Sequence, residues 1–399
     1  MSAPTTNQSG TPSGNRSGNL AAAAATSPRR AATTVRRLRG STTATVYLVL
    51  VVVLIACAVL SALAGRSFFS PGNLSALLTA TTVLGFVAIG QTLVILVGSL
   101  DLSVPFLVSL SSVLAAGTMQ GSPDAFATGV LVALVATTVL GLVNGVLVGL
   151  VGINGFMATL GVGLIISGYL FTNYQGSTGQ ASPQLVSLGS ASIGFVPVLS
   201  IVLLAFFLGT AVLLTRTRTG MHLYAVGGDP HAARLSGVRT AAPVLLAHAL
   251  SGLFSGIAGL VIVARLGVGS PGVGGQGGYD LLSIAAVVLG GAALAGGRGS
   301  LWGTLGGILI FASIDSLLGI LEVNPYLKDV VRGVVIVAAV AVYARRKGLS
   351  SIVRFPGGPT RAAIDRGGAE TADPGPVNRS DVEVGPIAAH PETTGRSGR

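Results

Sequence analysis

Hydrophobic residues fall in long runs along the chain, and polar positions gather between them. Ten runs reach or approach the ~20 apolar residues that a helix needs to cross a bilayer. They are Thr43–Ala64, Leu74–Val97, Val104–Met119, Ala125–Val151, Phe156–Asn173, Val196–Thr215, Ala241–Ala264, Leu281–Ala295, Leu301–Leu321 and Tyr326–Tyr343. The pattern predicts an all-α polytopic membrane protein with about ten transmembrane helices in a domain spanning 43–345. The third and eighth runs are short, and each abuts a break, Gly98-Ser99-Leu100-Asp101 and Gly296-Gly297-Arg298-Gly299-Ser300. Such interruptions suit broken helices beside a substrate path near 98–103 and 290–300, and equally suit plain inner turns.

Composition agrees. Half of the 399 residues are hydrophobic and 9% are charged, against ~25% in soluble domains. A single soluble globular domain is excluded, because too little polar surface exists to cover the apolar side chains. One cysteine, Cys57, excludes an internal disulfide framework. The 58 glycines recur at four-residue spacing within spans, as Gly141, Gly145 and Gly149 and again as Gly252 and Gly256. These small-residue ridges predict close helix–helix packing within the chain.

The net charge of +11 sits mostly at the two ends. Residues 1–42 carry six arginines and no acid, and Arg345, Arg346 and Lys347 follow the last run directly. The segment Arg216–Thr240 holds four more arginines, whereas Gln175–Phe195 carries no charge. Basic segments stay on the inner side of a membrane. Ten spans with both termini inside satisfy that rule, and nucleic acid is not expected as a partner. The first run is 22 residues long, so it reads as a span rather than a signal peptide, although Ala62-Leu63-Ala64 imitates a cleavage site. The Ser/Thr/Gly/Ala/Asn-rich head, 1–42, and the Pro- and Gly-rich tail, 346–399, lack lasting apolar periodicity and are expected to be disordered and cytoplasmic.

Ionisable groups inside the membrane are costly, about 2.5–3.5 kcal/mol each on insertion scales. Asp101, His248 and Asp315 stand out, with the neutral amides Gln91, Asn144 and Asn173. Each could bond a neighbouring helix backbone or mark a pathway, and Asp315 could also relay protons. Enzymatic readings fare poorly. No P-loop and no His-Glu-x-x-His occurs, the four histidines show no metal spacing, and the intramembrane aspartyl and serine protease patterns fail. No cofactor or metal is expected.

Within Arg216–Thr240, Asp229 is a good N-cap, Pro230 a good first helical residue and Gly237 a good terminator. A two-turn helix is predicted at the inner membrane face, and so short a helix needs a docking partner to hold it. The segment Gly220–Val238 resembles the characteristic loop of permease subunits of bacterial ABC sugar importers, the ribose/xylose/galactoside type. Three further blocks are similar to that family. Ile89–Val104 contains Gly98-Ser99-Leu100-Asp101-Leu102-Ser103, with Ser99 where a second Gly usually stands. Gly141-Leu142-Val143-Asn144-Gly145 is followed by Phe156–Gly161. Ala264-Arg265-Leu266-Gly267 precedes Ile284–Gly291 and Gly296–Ser300. The resemblance runs from about Phe69 to Lys347. The chain departs from the family at Asp229 and Asp315, where Asn is usual, and at His248, where an aromatic or other polar residue is expected.

The resemblance implies a transport subunit, not an enzyme. It would act as a homodimer in the bacterial cytoplasmic membrane, worked by a separate ABC ATP-binding subunit and fed by an external sugar-binding protein. It implies that Gly220, Gly228, Asp229, Pro230, Ala232, Ala233, Arg234 and Gly237 form the element coupling it to the ATPase. Gln91, Asp101, Asn144 and Asn154, polar groups clustered at the helix breaks, are expected along or near the solute pathway, with Phe156 beside them. A monosaccharide is the expected solute. Branched-chain amino acids or a signal sugar are alternatives within the same machinery, and a proton-coupled secondary carrier is one outside it.

Overall fold

A computed structural model describes residues 42–346. The head and tail expected to be disordered lie, apart from their innermost residues, outside the described residues. Helices dominate: α1 (Thr42–Leu63), α2 (Pro71–Leu96), α3 (Val104–Met119), α4 (Phe126–Gly149), α5 (Gly155–Asn173), α6 (Pro183–Ser190), α7 (Val198–Arg216), α8 (Arg218–Gly228), α9 (Pro230–Leu235), α10 (Ala241–Leu266), α11 (Val273–Gln276), α12 (Tyr279–Leu289), α13 (Leu301–Ile320) and α14 (Pro325–Arg346). A two-stranded antiparallel hairpin, Ser192–Ile193 against Val196–Pro197, lies between α6 and α7.

Every expected run contains a helix, but not every helix is a span by length and composition. Seven are long and apolar enough: α1, α2, α4, α5, α7, α10 and α13. The short runs give α3, of 16 residues, and α12, of 11. α12 stops at Leu289 rather than Ala295, because Gly291, Gly296 and Gly297 take positive φ and turn the chain. α14, with Lys328, Asp329 and Arg332 in its first half, is not among the seven either. The fold is therefore an all-α polytopic membrane fold, and ten crossings are not established by it. The uncharged segment Gln175–Phe195 folds into α6 and half of the hairpin, elements the sequence reading left out.

α2 and α10 form the centre. From Thr81 to Leu96 every residue of α2 is buried, so this helix is apolar all round because protein surrounds it. α10 packs across α2, α3 and α4. The two glycine ridges face each other there. A side chain at Gly141 would run into the His248 carbonyl, and one at Gly252 into the Thr137 carbonyl. The ridges thus serve packing within one chain, as expected, and let two backbones approach.

Both ends of the bundle can be traced through contacts. At one end the Tyr47 hydroxyl near the start of α1 donates to the Trp302 carbonyl at the start of α13 (3.0 Å), and the end of α2 lies against the second break. At the other end Arg66, just past α1, donates to the Ile320 carbonyl at the end of α13 and pairs with Glu322 (2.6 Å). There too Ser316 of α13 donates to Asn73 at the start of α2 (2.8 Å).

Candidate functional site

The segment after α7 folds into two helices rather than one. Thr217 caps α8, its hydroxyl accepting from the Gly220 amide (3.2 Å). Leu223, Val226 and Gly227 are the buried side of α8. Asp229 then ends α8 and caps α9, its Oδ1 accepting from the amides of His231 (2.9 Å) and Ala232 (3.1 Å). Pro230 occupies the first turn, where no amide hydrogen is needed. Gly237 closes the helix at φ +81°, its amide donating to Arg234 O while Val238 N donates to Ala233 O (3.0 Å each). The capped short helix thus forms where the sequence put it. Ala233 is its buried residue, whereas His231, Ala232, Arg234 and Leu235 are exposed. With Arg216, Arg218 and Arg239 also exposed, the tip of this hairpin is basic.

The inner side of the hairpin grips both helix breaks. The Gly297 amide donates to the Leu96 carbonyl (2.9 Å), joining the second break to the end of α2. Gly227 is wedged against that pair: a β-carbon there would overlap Leu96 O and lie 2.7 Å from Gly297 N. One at Gly296 would lie 2.7 Å from both Gly227 O and Gly98 Cα. The Tyr224 hydroxyl donates to Gly299 O (3.1 Å), and burial pushes its ionisation point up, so it stays a donor. Gly98, Gly227, Gly296 and Gly297 therefore form one junction at which three backbones touch without side chains between them.

Just beyond this junction the first break carries a buried polar network. Asp101 Oδ1 accepts from the Ser103 amide (3.0 Å) and hydroxyl (2.6 Å), and Oδ2 accepts from the Ser251 hydroxyl of α10 (2.8 Å). Asn144 Nδ2 of α4 donates to Ser103 Oγ (2.8 Å). His248 Nε2 lies 3.1 Å from Ser99 Oγ, and its Nδ1 lies 3.8 Å from Asp101 Oδ2. Asp101, Asn144 and His248 are fully buried. From α5, the Thr159 hydroxyl accepts from the Leu102 amide (2.9 Å), and Gly155 leaves room for Ser99. The Gln91 amide and Asn144 Oδ1 meet no hydrogen-bond partner among the described residues.

Residues 73–340 match the family described as branched-chain amino acid transport system / permease component. The chain is 36% identical over 294 residues to the ribose import permease protein of Escherichia coli strain K12, covering 72% of this chain and 90% of that one. It is 34% identical over 290 residues to the ribose import permease protein of Bacillus subtilis strain 168, covering 72% and 89%. It is 32% identical over 307 residues to the galactose/methyl galactoside import permease protein of Salmonella typhimurium strain LT2, covering 70% and 90%. The chain belongs to this permease family. No solved structure matches it.

All residues expected to couple or to line the path fall inside the part of this permease that matches. Asp101 and Asn144 come together in one hydrogen-bond chain. Asn154 caps α5, its Oδ1 accepting from the Phe156 amide (3.0 Å), and Phe156 is half exposed beside the first break. Gln91 is fully buried, one residue from Gly90, whose missing side chain makes room for the backbone of Ser251. Sequence reading missed α8 and the contact between Gly227 and the breaks. The glycine clusters at 98, 227–228 and 296–297 were the available signal.

Proposed function

We propose that this permease is the membrane subunit of an ATP-driven ABC importer that moves a monosaccharide inward. Its motor would be a separate ATP-binding subunit docking on α9, with a solute-binding protein delivering from outside and a second copy of the chain completing the pathway. Ten crossings with both termini cytoplasmic fit the basic ends and the basic α8–α9 tip. The reading rests on one observation above the others: α9 offers an exposed face, and the helix packed behind it, α8, touches both helix breaks at the glycine junction. A push on α9 would reach the Asp101 network within a few residues. That network bonds the first break to α4 and α10, so a displacement there changes contacts on three elements at once.

The relatives named for ribose and galactose favour a sugar, while the family description names branched-chain amino acids. Sugar hydroxyls cannot cross hydrocarbon bare, since each costs kilocalories to desolvate. Asp315, the candidate proton relay, has both carboxylate oxygens engaged by Arg332, which disfavours the secondary carrier. The decisive experiment is uptake of labelled pentoses and hexoses by the chain coexpressed with an ATP-binding subunit and a sugar-binding protein that copurify with it. Arg234→Glu, on the exposed face of α9, should abolish ATP-dependent uptake while leaving membrane insertion intact. Uptake that survives ATP depletion but collapses with an uncoupler would refute the reading.

A further inference from the structure

The end of the bundle opposite the hairpin contains two chambers that the coupling site does not involve. The larger is about 500 Å³ and opens between α2, α13 and α14. The smaller, about 230 Å³, lies against α12 and the α11 segment. They share Ala80, Ala312, Asp315 and Arg332, so they meet at one wall. Their combined size lies within the range of small-ligand sites, ~300–1,000 Å³.

The chemistry of that wall needs a reason. Asp315 stands five residues before the end of α13, about 7–8 Å along the helix at 1.5 Å per residue. Arg332 grips it with two parallel bonds, Nε to Oδ1 (2.9 Å) and Nη2 to Oδ2 (2.6 Å), and its Nη1 reaches Asp329 (2.9 Å). A part-exposed ion pair adds little to stability by itself, because side-chain ordering and solvent screening offset the attraction. This pair is not sealed: its side chains remain 25% and 32% exposed, on the chamber side. Tyr279, Gln276 and Arg265 border the smaller chamber, and Ser316 bonded to Asn73 borders the larger. Ala76, Ala80 and Gly319 form the floor and leave the space open.

We propose that these chambers are a solute site for an uncharged polyhydroxylated molecule of monosaccharide size, with Asp315 and Arg332 as the recognising pair and Tyr279 as an aromatic wall. The pair presents spare acceptor lone pairs beside fixed donors, which suits adjacent hydroxyls that both give and take hydrogen bonds. Small floor residues leave volume for a ring. A zwitterionic amino acid would need a free carboxylate for its ammonium group, and the one carboxylate lining the two chambers, Asp315, is committed to Arg332, while Lys328 and Arg265 add only cations. The assignment rests on the sugar-permease reading for its solute class, and the site lies at the other end of α2 from the Asp101 network.

The test needs no ATPase or binding protein. The full chain, with the buried sole thiol removed as Cys57→Ser, carries Ala76→Cys or Ala80→Cys, both exposed on the chamber floor. The purified protein in lipid nanodiscs is treated with a charged, water-soluble methanethiosulfonate, with or without excess D-ribose, D-galactose or L-leucine. The introduced thiols should react, and a sugar should slow the reaction about fivefold when present at about four times its Kd. Leucine should not. In the Asp315→Asn, Arg332→Gln background, which removes both charges and opens the chamber rather than filling it, the thiols should still react and sugar protection should disappear. No reaction at either position, protection by leucine alone, or sugar protection that survives the double substitution would each overturn the site. ATP-driven sugar uptake together with absent protection would remove this inference and leave the importer reading standing. Protection without ATP-driven uptake would do the reverse.

Discussion

At the scale of single residues, the glycine junction makes a sharp distinction between neighbours. A methyl group added at Gly227 would overlap Leu96 O, whereas one added at Gly228 meets nothing nearer than 4.0 Å, at Gly297 Cα. Gly227→Ala should therefore separate α8 from the breaks and cost about 1–3 kcal/mol, the usual penalty of overpacking. Gly228→Ala should be close to neutral, and thermal unfolding of the two variants in the same detergent compares them directly. A second residue-scale prediction concerns pH. Arg66 holds the Glu322 carboxyl below its ordinary value, by hydrogen bond first and by charge second. The pair therefore contributes fully above the unfolded carboxyl value near 4.5 and loses its contribution as pH falls through the lowered folded value. Glu322 is exposed, so the effect is small and screened by salt. Glu322→Gln should lower stability slightly at neutral pH and flatten the acid limb by the same small amount, both most visible at low ionic strength.

At the scale of elements, α9 depends on its cap. Asp229→Ala removes the acceptor for two amides and should cost about 0.5–2 kcal/mol of local stability. Asp229→Asn keeps an acceptor oxygen in place and should retain uptake where the alanine variant loses it; equal loss in both would assign the carboxylate charge, not the cap, as the needed feature. This helix was legible in the sequence because Asp-Pro at one end and Gly at the other are local signals. So were the helix breaks, through their glycine clusters, and the ridges at 141–149 and 252–256. α8 was not, since Gly220, Gly227 and Gly228 argue against a helix locally and packing of Leu223 and Val226 outweighs them. The meeting of Gly98, Gly227 and Gly297 was not legible either, because nothing local records a contact between segments so far apart in sequence. Asp315 stood out as a charge in a span, but its partner lies on the next helix beyond a turn, where neither periodicity nor spacing flags it. α12 was read six residues too long because Ala292, Ala293 and Ala295 continue the apolar run after the backbone has turned at Gly291.

At the scale of the molecule, α2 ties the two sites together. It is 26 residues long, about 39 Å. Ala76 and Ala80 near its start form the chamber floor, and Leu96 at its end accepts the bond from the second break. That arrangement fixes a sidedness that can be measured. Ala232 is exposed on α9 and Ala76 is exposed on the chamber floor, at opposite ends of the same bundle. In the Cys57→Ser background, a membrane-impermeant thiol reagent applied to intact cells should label Ala76→Cys and spare Ala232→Cys. Inside-out vesicles should give the reverse. Labelling of both from one side would contradict the fold, because no rigid insertion of this bundle puts both positions in one compartment. Clean labelling with the sides exchanged would keep the fold and invert the orientation, leaving α9 where no cytoplasmic ATPase could reach it.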